Sequence, residues 1–140
     1  MSEAQTLSYT KAEAATRLRT YRVLFTVSIV IDALAGLYGI LHPTGLARLL
    51  VLPDPYPDAW ARIWAATLLG LQLVYVPGVR NPLFYRWPNW SSIAIKLLMA
   101  VVFLCAGSTF RWLAVWELAW FAVLFATYYR LAMADLARNP

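Results

Sequence analysis

Four long apolar runs, the first three closed by proline or glycine, set the pattern of the chain. The first, Tyr21 to Leu41 (YRVLFTVSIVIDALAGLYGIL), has twenty-one residues and only one charge after Arg22, the carboxylate Asp32. That length matches a bilayer hydrocarbon core of about 30 Å. It ends at His42-Pro43, because proline disfavours the helical conformation in the residue before it. The second run stops at Pro77-Gly78, the third opens at Ser91 or Ser92, and Gly107-Ser108-Thr109 separates it from the fourth. The pattern predicts an all-α fold, an integral membrane four-helix bundle with spans of about 20–42, 59–76, 91–107 and 109–133. Short connections make consecutive spans antiparallel neighbours. The 140 residues form a single membrane domain with no internal repeat.

Between the runs the polar residues read as caps and connectors. Residues 1–10 are small and polar and are expected to be flexible, and Thr10-Lys11-Ala12-Glu13 has the form of a capping box. Thr44 is placed to cap a short helix over residues 45–52, with Leu46, Leu49 and Leu50 on one face. Too short to span, that helix is expected to lie in the membrane interface. Pro53, Pro55 and Pro57 enforce an extended link, and Asp58 is placed to cap the second span. The stretch Arg80 to Ser92 combines cations with Phe84, Tyr85, Trp87 and Trp90, as in an interfacial aromatic belt.

Composition agrees with a membrane bundle: 61% hydrophobic residues and 14% charged. The polar, partly acidic N-terminal stretch does not resemble a cleavable signal, so the first span is expected to be retained as an anchor. The net charge of +5 comes from cations flanking apolar runs, which argues for lipid rather than nucleic acid as the partner. With both termini cytoplasmic, Lys11, Arg17, Arg19, Arg22, Arg80, Arg86, Arg130 and Arg138 lie inside, with Lys96 near that end. Arg48, Arg62 and Arg111 lie outside. Nine against three sets the orientation as N-in and C-in.

The polar residues within the runs carry the candidate chemistry. Ser28, Asp32, Gly36 and Gly39 share one face of the first span, where small residues let helices approach closely. Arg62, Ala65, Ala66, Leu69 and Gln72 make a stripe on the second span, and Ala114, Glu117, Phe121, Leu124 and Tyr128 on the fourth. Ala122 and Ala126 add a second small-residue ridge. From the outer boundary at Leu41 and Phe110, Asp32 lies roughly 13 Å deep, Glu117 roughly 10 Å and Arg62 roughly 3–5 Å, at about 1.5 Å per residue. The expected constellation is therefore Asp32, Glu117 and Arg62 beneath the 43–58 segment, with Gln72 deeper. One reading makes it a structural ion pair that fixes helix register. The other makes it a binding site for a proton, a cation or a small ligand.

The remaining candidates carry less. Lys96 is expected to snorkel to the headgroups. Trp112, Trp116 and Trp120 line one face, read as a packing or lipid-facing surface, with a quinone surface as the minor reading. His42 reads as a helix-end residue, Cys105 as core, and the Asp54/Asp58 loop as a rigid connector. The chain has no phosphate-cradling glycine loop, no His/Cys ligand pairs and no nucleophile elbow, so no cofactor, metal or catalytic residue is expected.

The run Asp32-x-x-x-Gly36-Leu37-x-Gly39 ending in Pro43, and Arg62 near the opening of the second span, resemble the small four-helix bacterial membrane proteins grouped around DoxX. The similarity covers residues 20–135. It implies a bacterial cytoplasmic (inner) membrane and an accessory role beside a redox enzyme, and it supplies no active-site residues. The leading functional expectation is an accessory or scaffold subunit, acting as a homo-oligomer or with a larger membrane partner. A carrier or binding protein built on Asp32, Glu117 and Arg62 is the alternative, and a quinone-linked redox subunit the third.

Overall fold

The structure is a computed structural model that describes residues 3–136, with side chains from residue 12 to residue 135. Five α-helices follow one another: α1 (Glu3–Leu41), α2 (Pro43–Leu49), α3 (Asp58–Arg80), α4 (Arg86–Cys105) and α5 (Arg111–Leu136). No strand occurs among the described residues. Helices α1, α3, α4 and α5 are each long and apolar enough to cross a membrane. This is the make-up of a multi-pass membrane protein.

The helix boundaries depart from the expected ones wherever a proline or a cap was weighed too simply. Helix α1 begins at Glu3, so Thr10 lies inside it rather than at its start. Helix α2 starts on Pro43 itself, with proline at the first helical position, where its missing N–H is no loss. Asp58 is the first residue of α3 and not its cap, which is Pro57, and its carboxylate reaches Arg62 at 3.4 Å. Pro77 lies within α3, which continues to Arg80. Likewise Arg86-Trp87-Pro88 forms the first turn of α4 rather than a loop. A proline in that turn breaks no intrahelical hydrogen bond. The turn between α4 and α5 is tight, as expected. Gly107 adopts φ 113°, a left-handed conformation that favours glycine, and a single 3-10 turn, Ser108–Phe110, leads into α5.

Helix α2 closes with a Schellman arrangement: Leu52 N donates to Ala47 O (2.7 Å) and Val51 N to Arg48 O (3.1 Å). Glycine usually occupies the left-handed residue of this motif; here Val51 does, at φ 52°. The segment is docked rather than free. Trp112 donates from its indole to Leu50 O at 3.1 Å. A Cβ added at Gly39 would fall 2.7 Å from Leu46 and 2.9 Å from Ala65, so α1, α2 and α3 meet there without a side chain between them.

Helix α1 packs most extensively on α3, and α4 on α5. At Gly36 an added Cβ would stand 2.9 Å from the Ala65 carbonyl oxygen, so the α1–α3 approach depends on that glycine. Toward the N-terminal end of α1 the core is aromatic. Tyr21, Phe25, Tyr75, Ile93, Leu124, Tyr128 and Leu131 form one buried cluster drawn from all four long helices. Ser28, Gly36 and Gly39 face inward as expected, whereas Ala66, Ala122 and Ala126 are exposed. Cys105, expected in the core, is exposed.

Candidate functional site

Helix α4 places Lys96 ten residues from its start and nine from its end, near the middle of the span. Expectation put this lysine near the membrane surface because the helix was taken to begin at Ser91 or Ser92. The extra turn at Arg86–Trp90 moves it inward by roughly 7 Å, at about 1.5 Å per residue. It does not snorkel. Its ammonium donates a hydrogen bond to Asp32 Oδ2 at 2.8 Å and stands 3.1 Å from Glu117 Oε2. The side chains of Lys96, Asp32 and Glu117 are 8%, 13% and 14% exposed. Asp32 from α1 and Glu117 from α5 thus converge on a cation from α4.

The cation predicted for this constellation was Arg62, and the structure places it elsewhere. Arg62 is half-exposed at the start of α3, where it bonds the Ile40 carbonyl oxygen and pairs with Asp58. Its neighbours are one helical turn away and one adjacent helix end, both nearer than the buried carboxylates. Gln72 is buried, but its amide donates to Leu68 O of its own helix at 3.0 Å. Four groups were expected together; Asp32 and Glu117 meet, and Lys96 replaces Arg62.

The two carboxylates are bound unequally. Asp32 accepts the aligned hydrogen bond, whereas Glu117 Oε2 is buried and lies outside hydrogen-bonding geometry to Lys96 despite its proximity. Helix α3 brings a further polar group. The Tyr75 hydroxyl is buried, has no hydrogen-bond partner, and lies within Coulombic range of Asp32. If all three charged groups were ionised, the cluster would carry one net negative charge in a low-dielectric interior. Such a charge is costly there.

A second polar centre lies at the connection between α3 and α4, and the sequence reading passed over it. Asn89, fully buried, accepts a hydrogen bond from the Tyr21 hydroxyl (2.7 Å) and donates to Pro82 O (3.1 Å) and Tyr85 O (2.7 Å). The Tyr128 hydroxyl donates to Pro82 O at 3.2 Å. Gly78 makes room, since a Cβ there would sit 2.8 Å from Asn89 Oδ1. This network satisfies carbonyls of the 81–85 connection and ties it to α1 and α5. Its signal in the sequence is an asparagine between Pro88 and Trp90, inside the Arg80–Ser92 stretch that reads as a connector.

Other side chains singled out from the sequence stand apart. Trp112 and Trp116 are exposed, and the Trp116 and Trp120 rings meet edge to face at 6.0 Å. His42 is exposed beside Tyr38. Asp54 pairs loosely with Arg48 at 3.8 Å, an exposed contact of little energetic weight. Two open clefts of about 240 and 430 Å³ lie near the N-terminal part of α1, one lined by Leu18, Leu83 and Leu131 and the other by Arg17, Thr127 and Arg130. Neither is lined by a residue of the charged cluster. No protein-family model matches the chain, and comparison with curated proteins and with solved structures likewise returns no match.

Proposed function

We propose that the chain is an accessory membrane subunit without catalysis of its own, which assembles through its outward faces with a second copy or a larger membrane protein. The observation that carries this reading is Ala66 with Gly70 on α3. Both are exposed, and a Cβ at Gly70 would meet nothing within 4 Å. Ala119, Ala122 and Ala126 form a similar bare ridge on α5. In lipid, small residues four apart drive close helix–helix contact, since burying apolar surface gains nothing there. The pattern-level resemblance to DoxX-type proteins points the same way.

In this reading both termini are cytoplasmic, α2 lies in the outer interface, and the membrane is the bacterial inner one, as the distribution of cations favours. The charged cluster holds three helices in register, with one partner each from α1, α4 and α5. Assembly in lipid nanodiscs or mild detergent tests the proposal. The wild-type chain is expected to run as an oligomer or with a partner, and Gly70→Leu is expected to shift it toward monomer. A strictly monomeric wild-type chain recovered without any partner would overturn it.

A further inference from the structure

We propose that the Asp32–Lys96–Glu117 cluster is a proton-binding site that holds one exchangeable proton at neutral pH, shared by its two carboxyls. The inference does not depend on whether the chain works alone or as a subunit. It rests on charge balance and geometry. Two carboxylates from α1 and α5 stand at 2.8 Å and 3.1 Å from a single ammonium on α4, all three largely shielded. Their nearest oxygens are therefore less than about 6 Å apart, close enough for strong like-charge repulsion where the dielectric is low. One ammonium neutralises one carboxylate. The second needs a proton or another cation.

Lys96 donates its aligned hydrogen bond to Asp32, and Glu117 Oε2 stands 3.1 Å from the same ammonium, so the two carboxyls share one cation and one proton. Lys96 and Asp32 are the titratable groups that act on Glu117, and Tyr75 of α3, whose buried hydroxyl has no hydrogen-bond partner, acts electrostatically on Asp32.

Charge balance makes an unusual prediction for variants. Replacing either carboxyl leaves one anion with one cation, so the proton is no longer required. Removing the cation leaves two anions and requires two protons. Infrared spectroscopy of the full chain in lipid vesicles, in H2O and D2O, reads this directly from the carbonyl stretch of protonated carboxyl groups. The wild-type chain is expected to show one such band at neutral pH, shifted by deuterium and lost on alkaline titration. Asp32→Asn and Glu117→Gln are each expected to abolish it, and Lys96→Met to double it. The proposal is overturned if the wild-type chain shows no protonated carboxyl, as it would with a bound metal cation in the proton's place. It is equally overturned if the band survives in both carboxyl variants. The wild-type spectrum decides even if a variant fails to fold.

Discussion

Lys96 and Asp32 form an ion pair of 2.8 Å between the middle of α4 and the C-terminal half of α1, where each alone would be among the least tolerable residues in a bilayer. Each makes the other admissible, and Glu117 of α5 joins them at 3.1 Å. The cluster links three helices by charge, while α1 and α3 approach through glycine. Charge and close backbone approach thus hold different seams of the same bundle.

Arg62 is expected to be dispensable to this arrangement. Its contacts lie at the exposed end of α3, with Asp58 and the Ile40 carbonyl. Arg62→Gln should lower stability by less than about 1 kcal/mol, as exposed ion pairs do. Chemical or thermal unfolding in detergent micelles checks it, and a loss as large as that for a buried charge would return Arg62 to the site.

Gly36 should tolerate no larger residue. With the Ala65 carbonyl oxygen 2.9 Å from an added Cβ, Gly36→Leu must push α3 away from α1. The expected loss is about 2–4 kcal/mol, in the range of severe overpacking. Gly70→Ala, where an added Cβ meets nothing, is the matched control. It should be neutral or stabilising by up to about 1 kcal/mol through helix propensity.

Asn89 is expected to matter more than any single partner. Asn89→Leu strands the Tyr21 hydroxyl and removes the donor to the Pro82 and Tyr85 carbonyls. Leaving such groups buried and unpaired costs about 1–3 kcal/mol. Tyr21→Phe removes one of the bonds and should cost nearer 1 kcal/mol. Unfolding free energies of the two variants, measured side by side, test the order.

Val51 should be improvable. It holds φ 52° in the position where this motif favours glycine. Val51→Gly is expected to stabilise the chain by up to about 1 kcal/mol, the left-handed strain relieved being partly offset by glycine's greater unfolded-state freedom. A loss of stability would show that the Val51 side chain makes contacts worth more than its strain.

Much of this was legible in the sequence because hydrocarbon leaves few options. Runs long enough to span had to be helices, and Gly36, Gly39 and Ser28 on the face of Asp32 had to turn inward. Asp32 and Glu117 were found at matching depth by counting residues from Leu41 and Phe110. The cation escapes the sequence reading for one reason: Arg80–Ser92, with Pro88 inside it, reads as a connector, though proline is harmless in a first helical turn. That shortened α4 and put Lys96 near the surface. Pro77 misled in the same way, because packing at Gly78 against Pro88 and Asn89 carries α3 past it. Ala122 and Ala126 show the remaining weakness. Small residues mark close approach, but they do not tell whether the approaching helix belongs to the same chain.

The central claim is that Lys96 and its two carboxylates form one interdependent buried unit, and reversible unfolding of three variants in bicelles tests it most directly. Lys96→Met alone is expected to cost about 3–5 kcal/mol, the range for breaking a buried pair by removing one partner. Combining it with Asp32→Asn and Glu117→Gln should restore most of that loss, and the carboxyl double variant alone should again be strongly destabilised by an unpaired ammonium. Additive losses, or a neutral Lys96→Met, would contradict the account.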